Sequence, residues 1–139
     1  MSEADCIFCK IVRGEIPCHE VYSDDKVLAF LDIAPVSPGH ALVIPKAHHD
    51  TLFDLPADLA ADLQGALQAV GKAVMQTTGA HGINLGMNVN EAAGQLVFHA
   101  HYHLIPRFND DGLELWPQTP AEDHEQLAKL AQSMRRSIA

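Results

Sequence analysis

Phe98-His99-Ala100-His101-Tyr102-His103-Leu104 is the stretch on which the reading of this chain turns. Histidine and apolar residues alternate strictly through it. In a strand, residues two apart share a face and stand about 6.5–7 Å apart along it. The alternation predicts a strand over Leu96–Ile105, ended by Pro106, with His99, His101 and His103 in a row on one face. Phe98, Ala100, Tyr102 and Leu104 then turn to the core. Three readings compete for the row of imidazoles. It is a solvent face that happens to be histidine, although histidine gains nothing there by strand propensity and three charged rings would repel. It is a metal site built on a His-x-His pair, since neutral imidazole is a common ligand. Or it is catalytic, because imidazole near its pKa attacks phosphorus or moves protons at neutral pH.

The flanking sequence supplies the partners such a strand needs. Ile83–Val89 alternates well enough for a strand, and Asn90–Gln95 is a polar, glycine-bearing turn between the two. Further back, His19–Tyr22 and Val27–Leu31 flank the turn residues Ser23-Asp24-Asp25, which suggests a hairpin. Ala41–Ile44 is another short strand, stopped by Pro45. Leu59, Leu63, Leu67, Val70 and Val74 recur at three- and four-residue steps, which predicts a long helix over Ala57–Gln76. Gly79 stops it. Ile7–Val12 reads as one or two helical turns, broken at Ile16-Pro17 because the residue before proline avoids the helical region. Thr119-Pro120-Ala121-Glu122 has the form of a capping box with proline at the first helical position, and predicts a helix to about Ser137. The fold class is α+β: an antiparallel sheet of about five strands with one long helix packed on it, a short N-terminal helix and a C-terminal helix. No repeat, linker or low-complexity run divides the chain, so residues 1–139 read as a single domain.

Composition narrows the function. At 139 residues, 47% hydrophobic and 19% charged, the chain can bury a core and is not disordered. No apolar run is long enough to cross a membrane, and Met1–Asp5 is too polar for a signal peptide. A formal charge of −9 repels phosphate backbones, so no nucleic-acid polymer is expected as partner, although local groups can hold a single nucleotide. Three cysteines with one close pair read as reduced and intracellular, and the expected location is the cytoplasm.

The chain resembles the histidine triad family of nucleotide hydrolases and transferases, whose motif is His-φ-His-φ-His-φ-φ with φ apolar. Here the motif reads His99-Ala100-His101-Tyr102-His103-Leu104-Ile105. The resemblance extends to Cys6-Ile7-Phe8-Cys9-Lys10-Ile11, Phe30-Leu31-Asp32-Ile33, Pro38-Gly39-His40-Ala41-Leu42-Val43-Ile44-Pro45-Lys46 and Asn90-Glu91-Ala92-Ala93-Gly94-Gln95. It is nearest to a small bacterial branch similar to the purine-nucleoside phosphoramidases. It implies that His101 attacks the α-phosphorus of an AMP-linked phosphoramidate or phosphoanhydride, forming a nucleotidyl-histidine that water releases as AMP. His99 would orient His101, His103 would hydrogen-bond the phosphate region, and His40 would be a fourth site histidine. Asp32 would accept from the ribose hydroxyls, with a turn-capping role as its competitor. Phe8, Ile11 and Ile33 would sandwich the purine or be plain core. Asn90 and Gln95 would donate amide hydrogens to phosphate oxygens, with turn chemistry competing at Asn90. A dinucleoside polyphosphate hydrolase would use the same triad, and a non-catalytic, zinc-stabilised nucleotide-binding or interaction module is the rival from another class. One place departs from the phosphoramidases: the Ser or Thr that usually follows Gly-Gln is Leu96.

Cys6-x-x-Cys9 suits two thiolates on one tetrahedral metal, which needs two further ligands; a buried apolar turn and a redox pair are the competing readings. The resemblance implies structural zinc held by Cys6, Cys9, His48 and His99, with His49 one place out of register. It implies no catalytic cofactor, and a two-fold homodimer. Cys18 is left as a structural cysteine.

Overall fold

The computed structural model describes residues 3–138. Along the chain run the short helix α1 (Ile7–Val12), strands β1 (Glu20–Ser23), β2 (Val27–Leu31) and β3 (Ala41–Pro45), and the long helix α2 (Ala60–Thr78). Strands β4 (Gly82–Gly86) and β5 (Tyr102–Arg107) and the helix α3 (His124–Ile138) follow. The five strands form one sheet in the order β1-β2-β3-β5-β4, with every neighbouring pair antiparallel. The predicted class is therefore the observed one.

The period of two explains how the layers stack. Val27 and Ala29 of β2, Ala41 and Val43 of β3 and Leu104 of β5 face one side of the sheet. There they bury Leu59, Leu63, Ala66, Val70 and Val74, the stripe of α2. Removing a side chain such as Val70 from water is worth roughly 1.5–3 kcal/mol. Leu28, Phe30, Leu42 and Ile44 face the other side, against Cys6, Phe8 and Cys9 around α1. Both faces of the central strands are covered, which is why β2 and β3 read as near-continuous apolar runs. His103 sits opposite Leu42 in the β3–β5 register, on the α1 side.

Four boundaries differ from expectation. The strand predicted over Leu96–Ile105 begins only at Tyr102 and runs through Pro106 to Arg107. Continuing the register would place Ala100 opposite Pro45, which has no N–H, and the Pro45 carbonyl accepts instead from His99 Nε2 at 2.8 Å. Pro106 is tolerated because the β3 pairing has already ended at Leu104. Strand β4 stops at Gly86, short of Val89. The long helix is entered through a 3₁₀ turn, Ala57–Leu59, and leaves at Gly79 in the left-handed conformation, φ 73°. The C-terminal helix ignores Thr119–Glu122: Asp123 Oδ1 accepts from the Glu125 and Gln126 amides, since Asp caps better than Thr. No described residue of α3 is buried, and its Leu127, Leu130 and Met134 are exposed.

Candidate functional site

Cys6 precedes the first turn of α1, and its Sγ accepts from the Cys9 amide at 3.4 Å. One helical turn thus puts both thiols on the same side. His48 arrives from the loop after β3, with Nδ1 3.2 Å from Cys9 Sγ. His99 Nδ1 lies 3.5 Å from each sulfur. The second nitrogen of each ring fixes its tautomer, because neither a carbonyl nor a carboxylate can donate. His99 Nε2–H donates to Pro45 O, and His48 Nε2–H donates to Asp50 Oδ1 at 2.7 Å. Both Nδ1 lone pairs therefore point into the cluster, with the outer partners that metal-bound histidines ordinarily have. The four ligand atoms lie within 4.8 Å of one another, and Cys6, Cys9 and His99 are buried. Two thiols and two imidazoles form a Cys₂His₂ set of the kind that holds structural zinc. Burial, with the neighbouring Cys6, leaves the metal-free Cys9 thiol pushed up to about 12. Burial holds His99 down to about 4. The backbone carbonyl of His49 accepts from the Ala100 amide at 2.7 Å, tying this loop to the segment before β5.

A cavity of about 310 Å³ opens beside this cluster, between α1, the end of β2 and the segment before β5. Its walls include Phe8, Ile11, Asp32, Ile33, His101 and His103. Phe8 is buried and meets the His101 ring edge-on at 5.1 Å, whereas Ile33 is 88% exposed at the rim. His101 Nδ1 lies 2.7 Å from His99 O, so it donates there and the Nε2 lone pair is free. His103 is the neighbouring ring, 5.0 Å away between centroids. His40 reaches it from the Pro38-Gly39 turn, with Nε2 2.9 Å from His103 Nδ1. Gly39 has φ +101° and a Cβ there would stand 2.6 Å from Thr78 Cγ2, so only glycine fits the turn that delivers His40. Asp32 realises its competing role with one oxygen: Oδ1 caps the turn by accepting from the Ala34 amide at 2.8 Å. Its Oδ2 lies 3.8 Å from His40 Nε2. Burial lowers His40 and His101, and with its His101 and His40 neighbours holds His103 to about 4, so all three rings are neutral at pH 7.

Two expected phosphate donors need correction. Gln95 is buried, and its Nε2 hydrogens already go to Asp50 O at 2.7 Å and Val97 O at 3.0 Å. Its Oε1 accepts from the Asn90 amide at 2.9 Å. Gln95 therefore ties the metal-side loop to the turn before the triad and has no hydrogen left for a phosphate. Asn90 is exposed with φ 69°, and Asn88 takes the place in the cavity wall expected for it. The wall also holds Cys18, half-buried, and Leu96, 85% exposed. Asp50 was missed altogether, although a carboxylate two residues after a ligand histidine is a common orienting partner.

The HIT domain family model matches residues 13–110. The Arabidopsis thaliana adenylylsulfatase is 39% identical over 139 residues, covering 96% of this chain and 70% of that protein. The adenosine 5'-monophosphoramidase of Schizosaccharomyces pombe is 43% identical over 122 residues, covering 86% of this chain and 89% of its own. A zinc-bound histidine triad family protein from Mycobacterium smegmatis superposes with a TM-score of 0.76 at 35% identity, covering 99% of this chain and all of that one. The two enzymes differ in activity at similar identity, so neither a bacterial nor a phosphoramidase branch is distinguished.

Proposed function

The chain belongs to the HIT domain family, the histidine triad proteins, and on that premise we propose that it is a zinc-stabilised, nucleotide-binding hydrolase of AMP-linked substrates. The observation that carries the reading is His101: its Nδ1–H is engaged by His99 O, its Nε2 lone pair is free, and its ring lines the cavity. Nε2 attacks the α-phosphorus; the bond from phosphorus to the leaving group breaks, and the electron pair departs on that group. Water then cleaves the phosphorus–nitrogen bond, releasing AMP and restoring His101. Phe8, Ile11 and Ile33 hold the purine, and Asp32 accepts from the ribose. The two enzyme relatives share an adenylyl group and differ in what leaves it, which supports AMP as the common part. Zinc on Cys6, Cys9, His48 and His99 would supply structure, joining α1 to the triad segment.

That same cluster favours a second reading. It engages His99, the first triad histidine, and a non-catalytic, zinc-stabilised nucleotide-binding module would need nothing more. A dinucleoside polyphosphate hydrolase is the variant of the first reading with a longer substrate. Incubation with AMP-phosphoramidate, a dinucleoside polyphosphate or buffer alone, followed by detection of AMP, separates them. AMP above the blank from either substrate supports the hydrolase. Calorimetric AMP binding without turnover supports the module, and neither binding nor turnover removes both.

The partner in this reading is a second copy. The unburied apolar stripe of α3 and the outer edge of β4 are surfaces a two-fold dimer would cover. Sedimentation should show a dimer, and a monomer at high concentration would remove this part. The chain acts as one domain over residues 1–139, in the cytoplasm; among the described residues no helix is long and apolar enough to cross a membrane.

A further inference from the structure

Adjacent imidazoles in the cavity hold their hydrogens on opposite nitrogens, and the cause lies two residues behind the Pro38-Gly39 turn. The Val36 amide donates to His40 Nδ1 at 3.1 Å. An amide N–H cannot also accept, so His40 Nδ1 carries the lone pair and the ring hydrogen sits on Nε2. That hydrogen has two candidate acceptors. Asp32 Oδ2 is 3.8 Å away, beyond hydrogen-bond range, whereas His103 Nδ1 is 2.9 Å away. His103 Nδ1 therefore accepts, and the His103 hydrogen is on Nε2. Asp32, His40 and His103 lie within 4.8 Å of one another and resemble a second metal cluster. The Val36 amide argues against that, because ligation through His40 Nε2 would require a hydrogen on Nδ1.

We propose that His40 is a positioning residue that acts through its tautomer: the Val36 amide sets it, it sets that of His103, and His103 Nε2–H then donates to a phosphoryl oxygen while His101 Nε2 attacks. This rests on the hydrolase reading for the reaction, but the tautomer lock itself belongs to the resting protein. No proton is transferred by His103 in this step; it holds a hydrogen bond as negative charge builds on the phosphoryl oxygens. A donor lost from such a position typically lowers kcat by about 10²–10³-fold.

The test reads the tautomer directly. Protein labelled with ¹⁵N-histidine is examined by long-range ¹H–¹⁵N correlation at neutral pH, with the His103 signals assigned by their loss in His103→Asn. The parent should show hydrogen on His103 Nε2. His40→Gln places an amide N–H where His40 Nε2 stands and should keep that tautomer, with kcat reduced less than about tenfold. His40→Glu offers only acceptors and should move the His103 hydrogen to Nδ1, lowering kcat about 10²-fold or more with a smaller change in KM. His40→Phe is a second donor-free variant if the Glu form does not fold. Hydrogen on His103 Nδ1 in the parent overturns the proposal whatever the turnover. So does an unchanged His103 tautomer in a folded Glu or Phe variant, or equal kcat losses for Gln and Glu. A shift of tautomer in a protein that hydrolyses no substrate would sink the hydrolase reading and leave the tautomer lock standing.

Discussion

Leu96 stands 85% exposed in the cavity wall that His101 and His103 share, where it has no proton to give a departing group. An amine leaves phosphorus poorly unless protonated, while a phosphate or sulfate needs less help, and general-acid assistance is worth about 10²–10⁴-fold. Leu96→Ser should therefore raise phosphoramidate turnover by more than it raises anhydride turnover; equal effects would show that leaving-group protonation does not pass through this position. His103 gives a second prediction, about stability. Burial holds its folded pKa to about 4, below the unfolded value of about 6.5. Between those values the unfolded chain takes up the proton and the folded one does not, so stability falls as pH drops from about 6.5 towards 4. His103→Asn should flatten that part of a melting-temperature series, and a parallel curve would contradict the assignment. Acid release of metal acts on both proteins, so the difference isolates His103. At this scale the spacing of Cys6-x-x-Cys9 and of the triad marked the residues that matter but left several chemistries open for each, and the family resemblance, not the spacing, chose among them. It was not legible at Gln95, because an amide that can serve a phosphate can equally close a turn, and only its three partners decide.

The segment from Leu96 to His101 shows the same lesson for an element. Its alternation is that of a strand, and it keeps the histidines on the α1 side, yet strand pairing begins only at Tyr102. Its polar groups are answered by partners other than strand pairing: Ala100 N–H by His49 O after β3, the His99 ring by Pro45 O at the end of β3, and Val97 O by Gln95. Partners such as the His49 and Pro45 carbonyls and the Gln95 amide leave no trace in local alternation, whereas the apolar runs of β2 and β3 and the stripe of α2 depend only on burial and were read directly. Zinc should matter most to this segment and to α1. Stripping the metal should lower the melting temperature by on the order of 10 °C and weaken nucleotide binding, since α1 carries Phe8 and Ile11 into the cavity wall. With the metal-free Cys9 thiol at about 12, readmitting zinc at pH 7 should release about one proton or more per chain, visible with a pH indicator. An unchanged melting curve with no proton release would reject the site.

Across the whole molecule, one sheet separates two tasks. On one face α2 buries the stripe that holds the fold, and on the other α1, the metal cluster and the triad histidines share a single patch. His99 belongs to both halves of that patch: its ring faces the thiols and its carbonyl holds His101. The thiol cluster and the proposed nucleophile, two residues apart from His99 to His101, are therefore held by one residue, and the acidic chain around them favours nucleotide capture by neutral donors and apolar walls. The proposed attacking atom is His101 Nε2. The most direct measurement is the intact mass of the protein quenched during turnover of AMP-phosphoramidate, with the modified peptide mapped. The expected result is an adenylyl adduct on His101, absent from His101→Ala, which should still bind AMP and lose nearly all turnover. An adduct on another residue, or turnover by His101→Ala within about tenfold of the parent, would contradict it.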